Sequence, residues 1–309
     1  MIPLVYSPHY NITAYGLENL HPFDCVKYRR IHDWLIDQGL RKEQDFVAPQ
    51  ISTRDELLRL HTPEYLESLK SSSVLKEILE VWVISFLPNG FVDGHVLEPM
   101  RWATGGTILA CQLAREQGLA INIGGGFHHA SRAQGGGFCV YADVPVALAN
   151  LHAERPFYSV LVIDADVHQG NGCADSIRSW PWAHILDFYE QAIFPEPKVQ
   201  EDWPVPLASG MCGEDYLRSL HTILPQALDR FAPEFVVYNG GSDVLGTDPL
   251  ASLGLSVPQM IERDLFVIAQ VRERGIPLAM VLSGGYGPLS WEAHARSIEA
   301  IAKRFDAKL

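Results

Sequence analysis

Asp166 and His168 stand two residues apart at the end of an apolar run. In an extended segment, residues i and i+2 point to the same side, so one carboxylate and one imidazole can reach one metal ion. Asp243 follows a different apolar run and is placed to supply a third ligand. Three N/O ligands with a fourth position left to water is the pattern of a catalytic zinc ion. No cysteine belongs to the set, so a structural Cys-rich zinc site does not fit. His128 and His129 follow three glycines, and a glycine-bent loop can aim both rings at one place because Gly reaches backbone angles that other residues avoid. Asp164 is placed to orient one of these histidines and Asn171 the other. Tyr286 stands among glycines and carries a hydroxyl suited to donate to a developing oxyanion. Phe138, after a second glycine run, and Phe194 can line a narrow apolar tunnel.

Each of these residues also has a plainer reading. Asp and Asn favour helix caps and turns, neighbouring histidines usually diverge, and a Tyr or Phe usually just packs its ring. The elements that must position them decide between the readings. Four short apolar runs, Leu119 to Ile123, Ser159 to Ile163, Phe235 to Tyr238 and Leu278 to Leu282, look like parallel strands covered on both faces. Each is followed at once by a polar or Gly-rich segment: GGGFHH, DADVHQGNG, NGGSD and SGGYG. In open α/β sheets ligands bind beyond the carboxyl ends of the strands. Four segments thus deliver His, Asp, Asn and Tyr to one edge of one sheet, which isolated caps and turns would not do.

Helical patterns separate the runs. Met100 to Gln117 has Pro99 at its start and Gly118 at its end, and Tyr216 to Arg230, Pro258 to Arg274 and Trp291 to Arg304 carry apolar residues at helical spacing. Alternation of strand and helix predicts an α/β fold: one domain over residues 1–309, a mainly parallel β-sheet flanked by helices, and an active site at the C-terminal ends of the strands. The first hundred residues read as mostly helical, and residues 190–213, with four prolines, as a surface loop.

Composition bounds the function. The chain has 309 residues, 47% hydrophobic and 20% charged, which fits a globular protein with a large core. A net charge of -13 argues against direct nucleic-acid binding, which needs Lys and Arg to neutralise phosphates. The five cysteines form no CxxC pair, so a reducing compartment is expected. No stretch reads as a membrane span and the N-terminus does not read as a signal peptide, so a cytoplasmic protein with no membrane contact is expected.

GGGFHH, GGGFCVYADV, DADVHQGNG, NGGSD and SGGYG, in this order, resemble the zinc-dependent histone deacetylases of the arginase/deacetylase fold. The resemblance runs from about Tyr6 to the C-terminus. The segment YSPHYNITAYGLENLHPFD and HQGNG look like the class IV branch more than class I. The resemblance implies that Asp166, His168 and Asp243 hold one Zn2+. It implies that His128 and His129 are the tandem catalytic histidines, that Asp164 pairs with the first, and that Tyr286 polarises the acyl carbonyl. Gly137, Phe138 and Phe194 match positions lining an acyl-lysine channel. A structural K+ is also implied, with Asp164, Asp166 and His168 at its ligand positions. Class I enzymes carry an aspartate where this chain has Asn171, so the second histidine has a neutral partner. Asp93 is the position considered for the rim aspartate that grips substrate backbone in class I.

The expected activity is hydrolysis of an acetyl or longer fatty-acyl group from the Nε-amino group of lysine in histones or other proteins. An amidohydrolase of acetylated polyamines or other small amides is the alternative; it would need an acidic gate. An arginase-like ureohydrolase with two manganese ions would need more carboxylates, and a binding module that keeps the fold without activity would not need every catalytic residue type.

Overall fold

The computed structural model describes residues 1–306. The strands are β1 (Leu4–Val5), β2 (Phe46–Val47), β3 (Leu119–Asn122), β4 (Val160–Asp164), β5 (Ala183–Glu190), β6 (Trp203–Leu207), β7 (Phe235–Asn239) and β8 (Leu278–Val281). They form one sheet in the order β2-β1-β3-β8-β7-β4-β5-β6. Every pair within it is parallel.

The four apolar runs become β3, β8, β7 and β4, the four neighbouring strands at the centre of the sheet. Their side chains alternate between two separate cores. Ile121, Leu161, Ile163, Val236 and Met280 face one, and Ala120, Val160, Val162, Val237 and Ala279 face the other. A strand buried on both faces must be apolar at odd and even positions alike, which is why these runs show no polar alternation. Each fully buried Val, Leu or Ile contributes roughly 1.5–3 kcal/mol of apolar transfer, so the central strands anchor the loops that leave them.

Helices cover both faces. Those read from the pattern are Glu98–Gln117, Gly213–Phe231, Val257–Glu273 and Ser290–Phe305. Among the described residues no helix is long and apolar enough to cross a membrane.

One expectation needs correction, and the sheet holds strands the apolar pattern does not reveal. Residues 190–213 are not all loop, because β6 lies within them and pairs with β5. β6 holds Pro204 and Pro206, which cannot donate to a ladder, and it is tolerated because it is the last strand of the sheet. β5, with His184, Asp187 and Glu190 in its span, lacks the uniform apolar signature. The first hundred residues contribute the other edge through β1 and β2, each two residues long and too short to show a period.

Candidate active site

Because β3, β8, β7 and β4 are adjacent, their four C-terminal loops meet over the middle of the sheet. Asp164 is the last residue of β4, and Asp166 and His168 follow it; Asp243 lies just past β7. One ligand atom from each of Asp166, His168 and Asp243 lies within 4.8 Å of the others, and all three residues are buried. His168 Nδ1 is 3.2 Å from Asp166 Oδ1 and 3.3 Å from Asp243 Oδ2.

The loops hold these carboxylates by hydrogen bonds from their own backbone. Val167 N–H donates to Asp243 Oδ1 at 3.0 Å, and Gly284 N–H and the Ser283 hydroxyl each donate to Asp166 Oδ2 at 2.9 Å. A side chain at Gly284 would put its Cβ 2.3 Å from Asp243 Oδ2 and 2.6 Å from Asp166 Oδ2, so only glycine leaves the space between the carboxylates clear.

Electrostatics mark the same place. Burial, together with the Asp166 charge, pushes Asp243 up to about 7, and Asp243 Oδ2 is a buried oxygen without a hydrogen-bond partner. Burial disfavours charge on His168, but Asp166 and Asp243 outweigh it and lift the imidazole to about 10. Two crowded carboxylates and an imidazole, with an orphaned oxygen, suit a divalent cation with N/O preference such as zinc. A second buried metal-like triad is not found among the described residues.

The loop after β3 carries the two histidines. Gly126 takes a left-handed backbone, φ +86°, which bends the loop back over the sheet. The buried Asp143 carboxylate pins the bend by accepting from Gly126 N–H at 2.8 Å and Phe127 N–H at 2.7 Å. His128 and His129 then lie side by side, ring centroids 4.1 Å apart, yet meet different partners. His128 Nδ1 is 2.9 Å from Asp164 Oδ2, and its Nε2 is 3.6 Å from Asp166 Oδ1. Burial lowers the affinity of His128 for its proton, but the charges of Asp164 and Asp166 outweigh that and raise it to about 9. His129 Nδ1 meets the neutral Asn171 Oδ1 at 2.7 Å. Burial and the neighbouring His128 and His168 hold His129 well below 6.5.

Tyr286, in the loop after β8, is fixed through its backbone: Tyr286 N–H and Gly287 N–H donate to Asp248 Oδ2 at 2.7 and 3.1 Å. Its ring is 6.3 Å from His168 and 5.8 Å from Phe138. Burial and the charges of Asp166 and Asp243 push the phenol well above 10, so it remains a donor. Phe194 sets its ring edge-on to His129 at 4.9 Å and is 46% exposed, which makes it a rim residue and not core. Phe138 and Gly137 line a cavity that also touches His128, His129 and Tyr286 and the buried Tyr10 and Tyr28.

Asp93, the position considered for the rim aspartate, is half-exposed and paired with Arg101. Arg101 binds its two oxygens with two nitrogens, at 2.7 and 3.2 Å. Reasoning from the sequence also missed three supports. Asp143 and Asp248 act through backbone N–H groups. Lys27, fully buried, donates from Nζ to Ser283 O at 2.9 Å and Gly284 O at 3.2 Å. Burial lowers this lysine to about 8 against the pull of Asp243 and Asp166. A charged residue on the apolar face of the helix Lys27–Asp37 was the one signal available.

A model of the histone deacetylase domain matches residues 21–303. Histone deacetylase 2 of Arabidopsis thaliana is 40% identical over 306 residues, covering 98% of this chain and 79% of that protein. Two solved structures share the fold. A histone deacetylase homologue from Aquifex aeolicus superposes with a TM-score of 0.77 at 21% identity, covering 97% of this chain and 82% of that one. An acetylpolyamine aminohydrolase from Burkholderia pseudomallei gives 0.76 at 18% identity, covering 98% and 99%.

Proposed function

From the premise that the chain belongs to the histone deacetylase family, we propose that it is a zinc-dependent, cytoplasmic class IV enzyme that hydrolyses Nε-acyl-lysine amides in proteins. Asp166, His168 and Asp243 would hold the zinc ion. When bound, zinc supplies Lewis-acid polarisation of the acyl carbonyl and makes the attacking water more acidic.

The chain's own residues do the rest. Asn171 Oδ1 accepts from His129 Nδ1–H, which leaves the Nε2 lone pair free as a base; His129 takes the proton of the water that attacks the acyl carbon. Tyr286 donates to the oxygen that gains negative charge. His129 then returns the proton to the lysine nitrogen as the C–N bond breaks, releasing lysine and a carboxylic acid. His128, held cationic between Asp164 and Asp166, supplies fixed positive charge. Phe138 and Phe194 clasp the lysine stem, and Gly137 leaves room for it.

One observation carries the choice of substrate class. The cavity that meets His128, His129 and Tyr286 is walled mainly by apolar side chains such as Ile12, Leu79, Val92 and Met100. Its lining holds one acid among the described residues, Glu18, whose Oε2 accepts from the N–H groups of Ala14 and Gly16 at 2.8 and 2.9 Å. A polyamine brings a second ammonium that would need a free carboxylate; an acyl chain needs only apolar surface. Each methylene buried there contributes about 0.8 kcal/mol, so long fatty-acyl groups are favoured over acetyl. A structural K+ beside Asp164, Asp166 and His168 is part of the proposal, supported by the buried Asp187, whose Oδ1 has no partner and which pairs in register with Asp164. The cytoplasmic assignment is supported by five unpaired cysteines.

The test is kcat/KM on acetyl, octanoyl and myristoyl-lysine peptides against N-acetylated putrescine and spermidine. The proposal expects a rise from acetyl to myristoyl and little turnover of the polyamines. Preference for an acetylated polyamine would establish the amidohydrolase alternative, and a decline from acetyl to myristoyl would show that the cavity does not take the acyl chain.

A further inference from the structure

Beneath the loops that carry the triad lies a guanidinium shut off from solvent. Arg263, on the helix Val257–Glu273, is fully buried. A buried cation is stable only when paired and hydrogen-bonded. Its counter-ion is Asp264, whose Oδ1 accepts from Arg263 Nε at 2.9 Å. Asp264 is itself fixed by the hydroxyls of Tyr238 and Ser297, each at 2.5 Å.

The rest of the guanidinium points at the active-site loops. Nη1 donates to Ala165 O at 2.9 Å and to Gly241 O at 2.8 Å. Ala165 lies between Asp164 and Asp166, and Gly241 lies two residues before Asp243. One nitrogen therefore ties the loop leaving β4 to the loop leaving β7, and these two loops carry both carboxylates of the triad. These two loops must keep their carboxylates close together, and the guanidinium is a tether between them that does not depend on metal.

We propose that Arg263 is a positioning residue for the metal site: its guanidinium holds the two loops in register so that Asp166 and Asp243 face a single cation. This rests on the reading of the triad as a zinc site. Arginine suits the task because its planar fork reaches Asp264 and two carbonyls at once, whereas a lysine ammonium is a point charge on a flexible stem. Partners beyond the ligands typically change metal affinity by about 10- to 100-fold.

The experiment measures zinc affinity by competition with a chromophoric chelator for the wild type, Arg263→Lys, and Leu224→Ala. The last removes a fully buried side chain on the helix Gly213–Phe231 and serves as a destabilised control. The proposal predicts zinc binding weakened by about 10- to 100-fold in Arg263→Lys, and a lowered Tm with affinity within about twofold of wild type in Leu224→Ala. Wild-type affinity in a folded Arg263→Lys would overturn it. If Arg263→Lys does not fold, the double variant Arg263→Met/Asp264→Asn, which leaves no uncompensated charge, takes its place with the same expectation. Failure of both to fold, with or without zinc, would make Arg263 a requirement of the fold and overturn the proposal. A wild type that binds no zinc would strike at the reading of the triad instead, so the two failures are distinguishable.

Discussion

His128 and His129 are neighbours in sequence and their rings nearly touch, yet the regions around them have opposite electrostatic character. Around His128 the end of β4 and the loop after it place two carboxylates, Asp164 and Asp166, at 2.9 and 3.6 Å, and the imidazole is held cationic up to about 9. Around His129 the start of the helix Asn171–Ile177, seven residues further on from Asp164, places a neutral amide. There burial and two neighbouring imidazoles keep the ring neutral. The difference shows that proximity does not set a residue's role. The charge of the group on Nδ1 does, by deciding whether the ring holds its proton as a fixed charge or leaves Nε2 open to take one.

The largest effect should come from removing the neutral histidine. His129→Ala deletes the general base, and kcat should fall by about 10³–10⁴; steady-state turnover of an acyl-lysine peptide checks this, with zinc content unchanged. A loss smaller than that of His128→Ala would invert the assignment. Next comes Tyr286→Phe, which removes one hydroxyl and is expected to lower kcat by about 10²–10³, the usual cost of an oxyanion donor. Near-normal turnover would return that side chain to a packing role. His128→Ala takes away charge but no proton-transfer group, so a loss on the order of 10- to 100-fold is expected, each tenfold being about 1.4 kcal/mol of barrier.

The smallest change in maximal rate belongs to Asn171→Asp, which makes the two regions alike. His129 acts only when neutral, so activity is present above its pKa and is lost as pH falls through it. A carboxylate at Nδ1 stabilises the imidazolium and raises that pKa by about 1–3 units. The acid limb of the kcat/KM profile should therefore move to higher pH by that amount. The basic limb, where His128 gives up its proton near 9, should stay in place. An unmoved acid limb would show that Asn171 does not set the state of His129.

The contrast was partly legible before the fold was known. The central strands β3, β4, β7 and β8 are buried on both faces, so they read as unbroken apolar runs, and any polar group at their ends stood out. That is why Asp166, His168, Asp243 and Tyr286 were found together with the His pair. β5 and β6 were not legible because one carries His184, Asp187 and Glu190 and the other alternates with prolines, while β1 and β2 are two residues each. Asp143, Asp248, Lys27 and Arg263 were missed for a different reason. They act by binding backbone N–H or C=O groups of distant loops, and such partners leave no trace in residue type or spacing.

The most direct test of the whole account is zinc titration of chelator-stripped protein, followed by hydrolysis of a fatty-acyl-lysine peptide. The account predicts no turnover without metal and full recovery at one equivalent of zinc, a recovery abolished in Asp243→Ala. Undiminished turnover in stripped protein that elemental analysis shows to be metal-free would contradict it.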